Sequence, residues 1–268
     1  MAAEALLREG KLVDALTELQ QDIRRAPADS KKRIFLFQLL SVLGQWDRAL
    51  NQLNVVADLD AETLPMAHTY RELIRCETFR SEVFSGDRAP LIFGKPEQWI
   101  ALMLEALKLS AQGEYEKAQQ LREQAFELAP ATRGEVNGQT FEWIADADAS
   151  LGPVFEAVIE GRYYWVPFDH VAVIETEAPE DLRDLVWLPA HFQWANGGES
   201  VGFIPSRYPG SEHSDDDSIK LARRTDWADL GNGLYRGLGQ RVWVTDVDDY
   251  ALLTVRSVKL EVKQDGDE

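Results

Sequence analysis

The sequence is short of cysteine and has no long hydrophobic run. Cys76 is the single cysteine, so the chain can form neither an internal disulfide nor a cysteine-based zinc site, because both need a second thiolate. This fits a reducing compartment, and we expect a cytoplasmic location. No run approaches the ~18 apolar residues of a membrane span, and Glu4 and Arg8 interrupt the place where a signal peptide would carry its apolar core. We therefore expect neither export nor membrane anchoring.

Basic residues are also scarce. The chain has 28 lysines and arginines against 46 aspartates and glutamates, a formal net charge of −18. Such a charge repels phosphate backbones and anionic lipid surfaces. Nucleic acid and membranes are therefore poor partners, whereas a basic or amphipathic protein segment is a better one. Solubility alone is the alternative explanation of the charge.

The sequence has what a folded protein needs. Its 268 residues are 45% hydrophobic, enough for one or two domains with their own cores. The sequence pattern changes near residue 150 from helical periodicity to short strand-like runs, which predicts two domains, at 1–149 and 150–268. Residues 264–268 have the composition of a solvated tail.

A short pattern recurs in the first half, as GKLVDAL at Gly10, GQWDRAL at Gly44 and GEYEKAQ at Gly113. Gly44 follows Gly10 by 34 residues, and Gly113 follows Gly44 by 69, two such periods plus one. A period of 34 is that of tetratricopeptide (TPR) repeats. Glycine suits the tight turn between two helices, so residues 1–149 are predicted to be a TPR-like stack of helical hairpins.

Two parts of this stack lack the pattern. The third unit, around residues 75–86, has a helical composition without the signature, so the array is predicted to be degenerate there. Residues 140–149 are predicted to form a last helix that closes the stack.

Stacked hairpins present a concave groove that suits a helix or an extended peptide. The inner helix of each hairpin is the expected wall, with Gln38, Ser41, Met103, Leu107 and Ser110 as lining positions. A site at the seam between the two halves is an equally open possibility. Alternatively, these helices only pack against the second half.

From residue 153 the chain changes to short β-branched and aromatic runs separated by turns. We predict a mostly antiparallel, β-rich second domain and hence an α+β fold. Asn196-Gly197 marks the clearest hairpin, because a tight primed turn needs positive φ. Residues 179–181 are predicted to open a short helical turn, and residues 210–217 an exposed loop.

Several segments of this half resemble the ImpE/SciE/TagJ family of type VI secretion accessory proteins. They are LGPVFE, GRYYWVPF, APEDLRDLVW, SRYPGS and LARRTDW, and they come in the family's order. The resemblance implies a non-enzymatic adaptor that binds the N-terminal helix of the small contractile-sheath subunit. It also implies an indirect link to the unfoldase that recycles the sheath.

Motifs for catalysis or cofactors are weak. Residues 198–202 fit the G-x-S-x-G nucleophile elbow, but Ser200 follows a turn and enters a strand-like run, whereas an elbow lies between a strand and a helix. The glycines of residues 231–239 miss the dinucleotide spacing. His213 beside Asp215, Asp216 and Asp217 favours a solvated loop over a metal site. We expect no catalytic, cofactor or metal residues; the alternative is an enzyme of unrecognised class that uses Arg, Asp and His of this half.

Arginines and aromatic residues within the family-like segments are the remaining candidates. Arg183, Arg207, Arg223 and Arg224 either fasten loops, because a guanidinium can satisfy several carbonyls, or form a recognition surface. Strand alternation places some of the aromatic residues in the core and others outside; these are Tyr163, Tyr164, Trp165, Trp187, Trp194 and Trp227. Arg183, Arg207 and Trp227 are the predicted partner contacts in this half. A purely structural oligomer component is a third hypothesis.

Overall fold

The structure, a computed structural model, describes residues 2–231 and 234–262, so the predicted tail at 264–268 lies outside the described residues. Helices dominate the first half, and most strands follow them, which confirms the α+β fold. The helices are α1 (Ala2–Arg8), α2 (Leu12–Arg25), α3 (Ser30–Val42), α4 (Trp46–Leu59), α5 (Leu64–Phe84), α6 (Gln98–Ala111), α7 (Tyr115–Leu128) and α8 (Asp217–Lys220).

Three glycines form the turns of three helical hairpins, as the repeat predicts. Gly10, Gly44 and Gly113 have φ of +74°, +65° and +79°, and they join α1 to α2, α3 to α4 and α6 to α7. The degenerate third unit is the single long helix α5, which ends before Gly86. The helical half is thus TPR-like in its hairpins, with one hairpin replaced by one helix.

The strands form three sheets. Their bounds are β1 (Leu91–Ile92), β2 (Gly134–Val136), β3 (Gln139–Phe141), β4 (Ile144–Asp146), β5 (Val154–Ile159), β6 (Arg162–Pro167), β7 (Val171–Thr176), β8 (Trp187–Trp194), β9 (Glu199–Pro205), β10 (Thr225–Gly231), β11 (Leu234–Gly239), β12 (Val242–Thr245), β13 (Asp249–Ala251) and β14 (Ser257–Leu260). The main sheet has nine strands in the order β1-β6-β5-β9-β8-β7-β14-β2-β3. Its β1–β6 pair is parallel, whereas its other pairs are antiparallel.

The prediction of a closing helix at residues 140–149 is wrong. This segment holds the end of β3 and all of β4, and β4 pairs with β12, with Asp146 opposite Trp243. Ile144 and Asp146 are buried on either side of a half-buried Ala145, which is the alternation of a strand. Pairing with a distant strand therefore determines the conformation of this segment. After α7 the strands begin at Gly134, before the predicted boundary at residue 150.

The hairpin predicted at Asn196-Gly197 joins β8 to β9, but its turn differs from the prediction. Gly197 has φ of +82°, while Asn196 is not among the residues with positive φ. The Gly197 amide donates to the Trp194 carbonyl at 2.9 Å, and the Trp194 amide donates to the Gly198 carbonyl at 2.8 Å. This is the three-residue loop in which a left-handed glycine ends the turn. The Asn196 side chain accepts from the Gly198 amide instead.

Two hydrophobic cores lie on opposite faces of the main sheet. One face packs on the helices, and its core combines helix residues such as Phe37 and Leu73 with strand residues such as Val158 and Trp187. The other face packs on the three-stranded sheet β13-β12-β4 around Phe155. The helical and β-rich halves therefore share one core. No helix within the described ranges is long and apolar enough to cross a membrane.

Candidate functional site at the seam of the two halves

A buried group of charges joins the helices to the sheet. Arg80 of α5 donates from Nε and Nη2 to the two carboxylate oxygens of Glu156 on β5, at 2.5 and 2.9 Å. Arg241 donates to Glu156 as well, and at 2.7 Å to Asp146. The Tyr163 hydroxyl donates to Glu156 at 2.5 Å. Because burying an unpaired charge is costly, these groups hold one another in place.

The two carboxylates of this group have opposite pKa shifts. Burial raises the pKa of both, but two guanidinium groups, Arg80 and Arg241, outweigh burial at Glu156 and lower its pKa to about 2. Asp146 has one guanidinium partner and lies near Asp148, so burial prevails and raises its pKa to about 6. The sequence analysis missed this group, although one glutamate inside the apolar run VFEAVI is a signal for it.

A second set of polar contacts fastens the segment 207–223 onto the helical turns. Arg207 donates to the Val42 carbonyl at the end of α3, at 2.8 Å, and to the Lys220 carbonyl at 2.6 Å. Arg223 donates to the Leu7 carbonyl at the end of α1, at 2.7 Å. Both arginines bind carbonyls of a last helical turn, although the Leu7 carbonyl also accepts from the Gly10 amide at 3.0 Å. This is the fastening role that was one of the two predicted for arginines of this half.

The predicted exposed loop at 210–217 is instead docked on the repeat. The Asp217 carboxylate accepts from the Leu12 amide at the start of α2, at 2.9 Å. Glu212 packs against the turn at Gly44, where an added Cβ would lie 2.5 Å from the glutamate Cγ. Ser211 is fully buried, so only part of this segment, including His213, faces solvent.

An open groove remains where the helix-facing side of the sheet extends past the helices. Two cavities, of about 690 and about 340 Å³, adjoin there because both are lined by Val201, Gly202 and Phe203 of β9. We call this the seam groove. One wall is the part of α5 from His68 to Leu73, and the other is the segment 177–184 before β8.

The floor of the seam groove is apolar. Val201 is 75% exposed, although it stands in the middle of β9. The cross-strand neighbours of Val201 and Phe203 are His191 and Pro189 on β8, and Tyr70 of α5 contacts Phe203 with a ring-centroid distance of 6.0 Å. Val201 thus adjoins other apolar and aromatic side chains in a concave surface, rather than standing alone among polar residues.

The walls of the seam groove are acidic. Its carboxylates are Glu72, Glu160, Glu175, Glu177, Glu180, Asp181 and Asp184. Two arginines also line it: Arg183 pairs with Asp181 at 2.6 Å, and Arg256 donates to the Leu253 carbonyl at 2.9 Å. Glu72 pairs with Arg75 at 2.6 Å, but carboxylates still outnumber guanidinium groups on these walls. The groove therefore presents negative charge around an apolar floor.

The predicted partner contacts lie in different environments. Gln38, Ser41, Met103 and Leu107 are buried in the helical half, and Ser110 is half-buried. That a partner contacts these five residues stays a prediction, and such contact would require the helices that bury them to move apart. Arg183 lines the seam groove and lies over Tyr70, with its Cζ 4.7 Å from the ring centroid, whereas Arg207 is buried.

Trp227 belongs to a separate patch on the β10–β11 hairpin. With Ala147, Ala149, Leu234 and Tyr235 it lines an apolar cavity of about 400 Å³. Of the other predicted aromatic residues, Tyr163, Trp165, Trp187 and Trp194 are buried and Tyr164 is half-buried. The seam groove and the Trp227 patch are therefore distinct surfaces.

The weak catalytic motifs stay weak in the structure. Ser200 lies within β9, opposite Phe192 of β8, and accepts a hydrogen bond from Trp194 Nε1 at 3.0 Å, so no strand-to-helix elbow surrounds it. The glycine-rich residues 231–239 belong to the β10–β11 hairpin, with residues 232–233 outside the described ranges. An enzyme that uses arginines of this half would need a pocket in which a histidine or carboxylate of shifted pKa faces them. Glu156 and Asp146 have shifted pKa values, but both are buried in the core.

Comparisons with known proteins agree with this architecture. Residues 138–259 match the family described as ImpE protein. A Pseudomonas aeruginosa protein named type VI secretion system accessory component TagJ is 50% identical over 261 residues, which is 97% of this chain and 92% of that protein. The chain belongs to the ImpE/TagJ family of type VI secretion accessory proteins. A crystal structure of a Vibrio parahaemolyticus protein superposes with a TM-score of 0.89 at 26% identity, and the match covers 98% of each chain.

Membership of the ImpE/TagJ family confirms the resemblance seen in the sequence and supports an accessory role in type VI secretion. The family match begins at residue 138, so it includes β4 and the whole segment 177–224. The fastening arginines and one wall of the seam groove therefore lie inside the part by which the family is defined. The helical half contributes the other wall.

Proposed function

We propose that the chain is a non-enzymatic, cytoplasmic adaptor that binds an amphipathic helix in the seam groove. The partner is the N-terminal helix of the small contractile-sheath subunit, and binding links that subunit to sheath assembly or recycling, with an indirect connection to the sheath-recycling unfoldase. The observation that supports this function best is the exposed Val201 on an apolar floor between acidic walls.

The chemistry of the groove selects its occupant. An amphipathic helix docks by burying an apolar stripe in a groove, and the floor at Val201 and Phe203 provides the matching surface. Basic residues beside that stripe would meet Glu177, Glu180 or Glu72 on the walls. The net charge of −18 also favours the approach of a basic segment and raises its association rate.

The first experiment is a titration of the full chain with a synthetic peptide of that N-terminal helix, at low and high salt. We expect saturable binding that weakens at high salt, because exposed charges are screened. Absence of binding to both the peptide and the whole sheath subunit would contradict the partner.

Two variants locate the binding site. Val201→Glu adds a charge to the floor and should weaken binding by at least about tenfold, since a charge would be buried against an apolar stripe. Val13→Glu is the matched control, because Val13 is 67% exposed on α2 and lies outside the groove. Equal affinity of both variants and the wild-type chain would place the partner elsewhere, and Trp227→Ala would then test the hairpin patch.

A further inference from the structure

Three side chains with metal-binding chemistry meet between the last helical hairpin and the sheet. Glu97 immediately precedes α6, whereas Asp169 and His170 lie in the 3₁₀ helix Phe168–His170 that joins β6 to β7. One potential ligand atom from each of the three lies within 4.8 Å of the others. The fold therefore brings Glu97 to Asp169 and His170, which are neighbours in sequence.

The imidazole of His170 is oriented by a group outside this cluster. Its Nδ1 lies 2.8 Å from the carbonyl oxygen of Phe93. A carbonyl can only accept, so Nδ1 carries the hydrogen, and the neutral ring keeps its lone pair on Nε2. Metal-binding histidines are commonly fixed in this way, by a hydrogen bond from the other ring nitrogen to a carbonyl.

The loop that supplies the carbonyl packs closely on the ring. Gly94 has φ of +85°, and a Cβ there would lie 2.5 Å from His170 Nδ1. Any other residue at this position would push the imidazole away. The backbone of this loop thus fixes both the tautomer and the position of the ring.

The Glu97 carboxylate is held as well. The buried Trp99 donates from Nε1 to Glu97 Oε2 at 3.1 Å, and no residue in the described ranges donates a hydrogen bond to Oε1. Asp169 is half-buried beside it. Trp99 therefore positions the Glu97 carboxylate, and the Phe93 carbonyl positions the His170 imidazole.

We propose that Glu97, Asp169 and His170 bind a divalent transition-metal ion, with Zn²⁺ the closest match. One nitrogen and two carboxylate oxygens suit a borderline ion, whereas Ca²⁺ and Mg²⁺ prefer oxygen alone. Three protein ligands leave a further position for water. Because the ligands come from the α6 side and from the sheet, the ion ties the α6–α7 hairpin to the β-rich half.

The test uses the full chain without an affinity tag, first stripped with EDTA. Calorimetric titration with ZnCl₂ should give one site, and the melting temperature should rise with zinc concentration, since a ligand of the folded state stabilises it. The same concentrations of MgCl₂ should leave the melting temperature unchanged. His170→Ala should abolish the zinc-dependent rise.

Further variants separate binding from folding. Glu97→Gln changes an exposed side chain, so it should keep the melting temperature of the metal-free chain while losing most of the zinc-dependent rise. His213→Ala is the matched control, because His213 also lies next to a glutamate, Glu212 at 3.5 Å. The proposal is overturned by no zinc-dependent rise in the wild-type chain, or by an equal rise in wild type, His170→Ala and Glu97→Gln. An equal rise with MgCl₂ overturns the assignment to a transition metal.

Discussion

At the residue scale, Glu156 is a buried carboxylate that connects the sheet to α5 through Arg80. Glu156→Gln leaves the guanidinium groups of Arg80 and Arg241 buried without their shared counter-charge. We expect it to lower the free energy of unfolding by about 3–5 kcal/mol, the usual cost of breaking a buried pair. Denaturant unfolding measures this loss. Glu135→Gln, which breaks an exposed pair with Lys259, should cost at most about 1 kcal/mol.

The contribution of Glu156 also depends on pH. Its pKa in the folded chain is about 2, below the ordinary value of 4.5. A carboxyl with a lowered pKa stabilises the fold above its unfolded pKa and loses this effect as pH falls through the folded pKa. The stability difference between the wild-type chain and Glu156→Gln should therefore be constant near neutral pH and shrink as pH falls from 4.5 towards 2. A difference that grows over this range would contradict the shift.

Sequence reasoning at this scale offers loop fastening as one of two roles for Arg207, beside partner contact, but it does not find the Glu156 group. The fastening role can be inferred because a guanidinium group binds backbone carbonyls, whichever segment supplies them. Glu156, Asp146 and Arg241 come together only in the folded sheet, and of the three only Glu156 stands alone within an apolar run.

At the element scale, the glycine turns are equivalent in sequence but not in surroundings. Gly44 and Gly113 both have positive φ, which costs a residue with a Cβ about 1–2 kcal/mol. At Gly44 the Cβ would also collide with Glu212, whereas at Gly113 nothing lies within 4 Å. Gly44→Ala should therefore lower the denaturation midpoint clearly more than Gly113→Ala. Equal effects would show that the docked segment 207–223 moves away from position 44 without loss of stability.

The helical hairpins are predictable because each is local, with its glycine, alanine and apolar stripe within one period. The strands β2, β3 and β4 are not, since each has only three residues. β2 pairs with β14 and β4 with β12, both far along the chain, and β3 pairs with β2. The seam groove is likewise hidden in the sequence, because its walls come from α5 and from the segment 177–184.

At the scale of the whole molecule, the shared core predicts that the halves unfold together. Trp187 of β8 lies against Trp46 and Tyr70 of the helices, with centroid distances of 5.8 Å to each. Thermal unfolding followed by circular dichroism, which reports mainly the helices, should coincide with unfolding followed by tryptophan fluorescence. Two separate transitions would instead indicate halves that fold independently.

The contact between Arg207 and the end of α3 has a consequence for biosynthesis. The arginine that completes this helix lies 165 residues after Val42. At a synthesis rate of about 5–20 residues per second, Arg207 is synthesised roughly 8–33 s after Val42. During that interval the apolar side of α3 has no sheet to cover it, so the ribosome-bound chain is the stage at which we expect this protein to depend most on a chaperone.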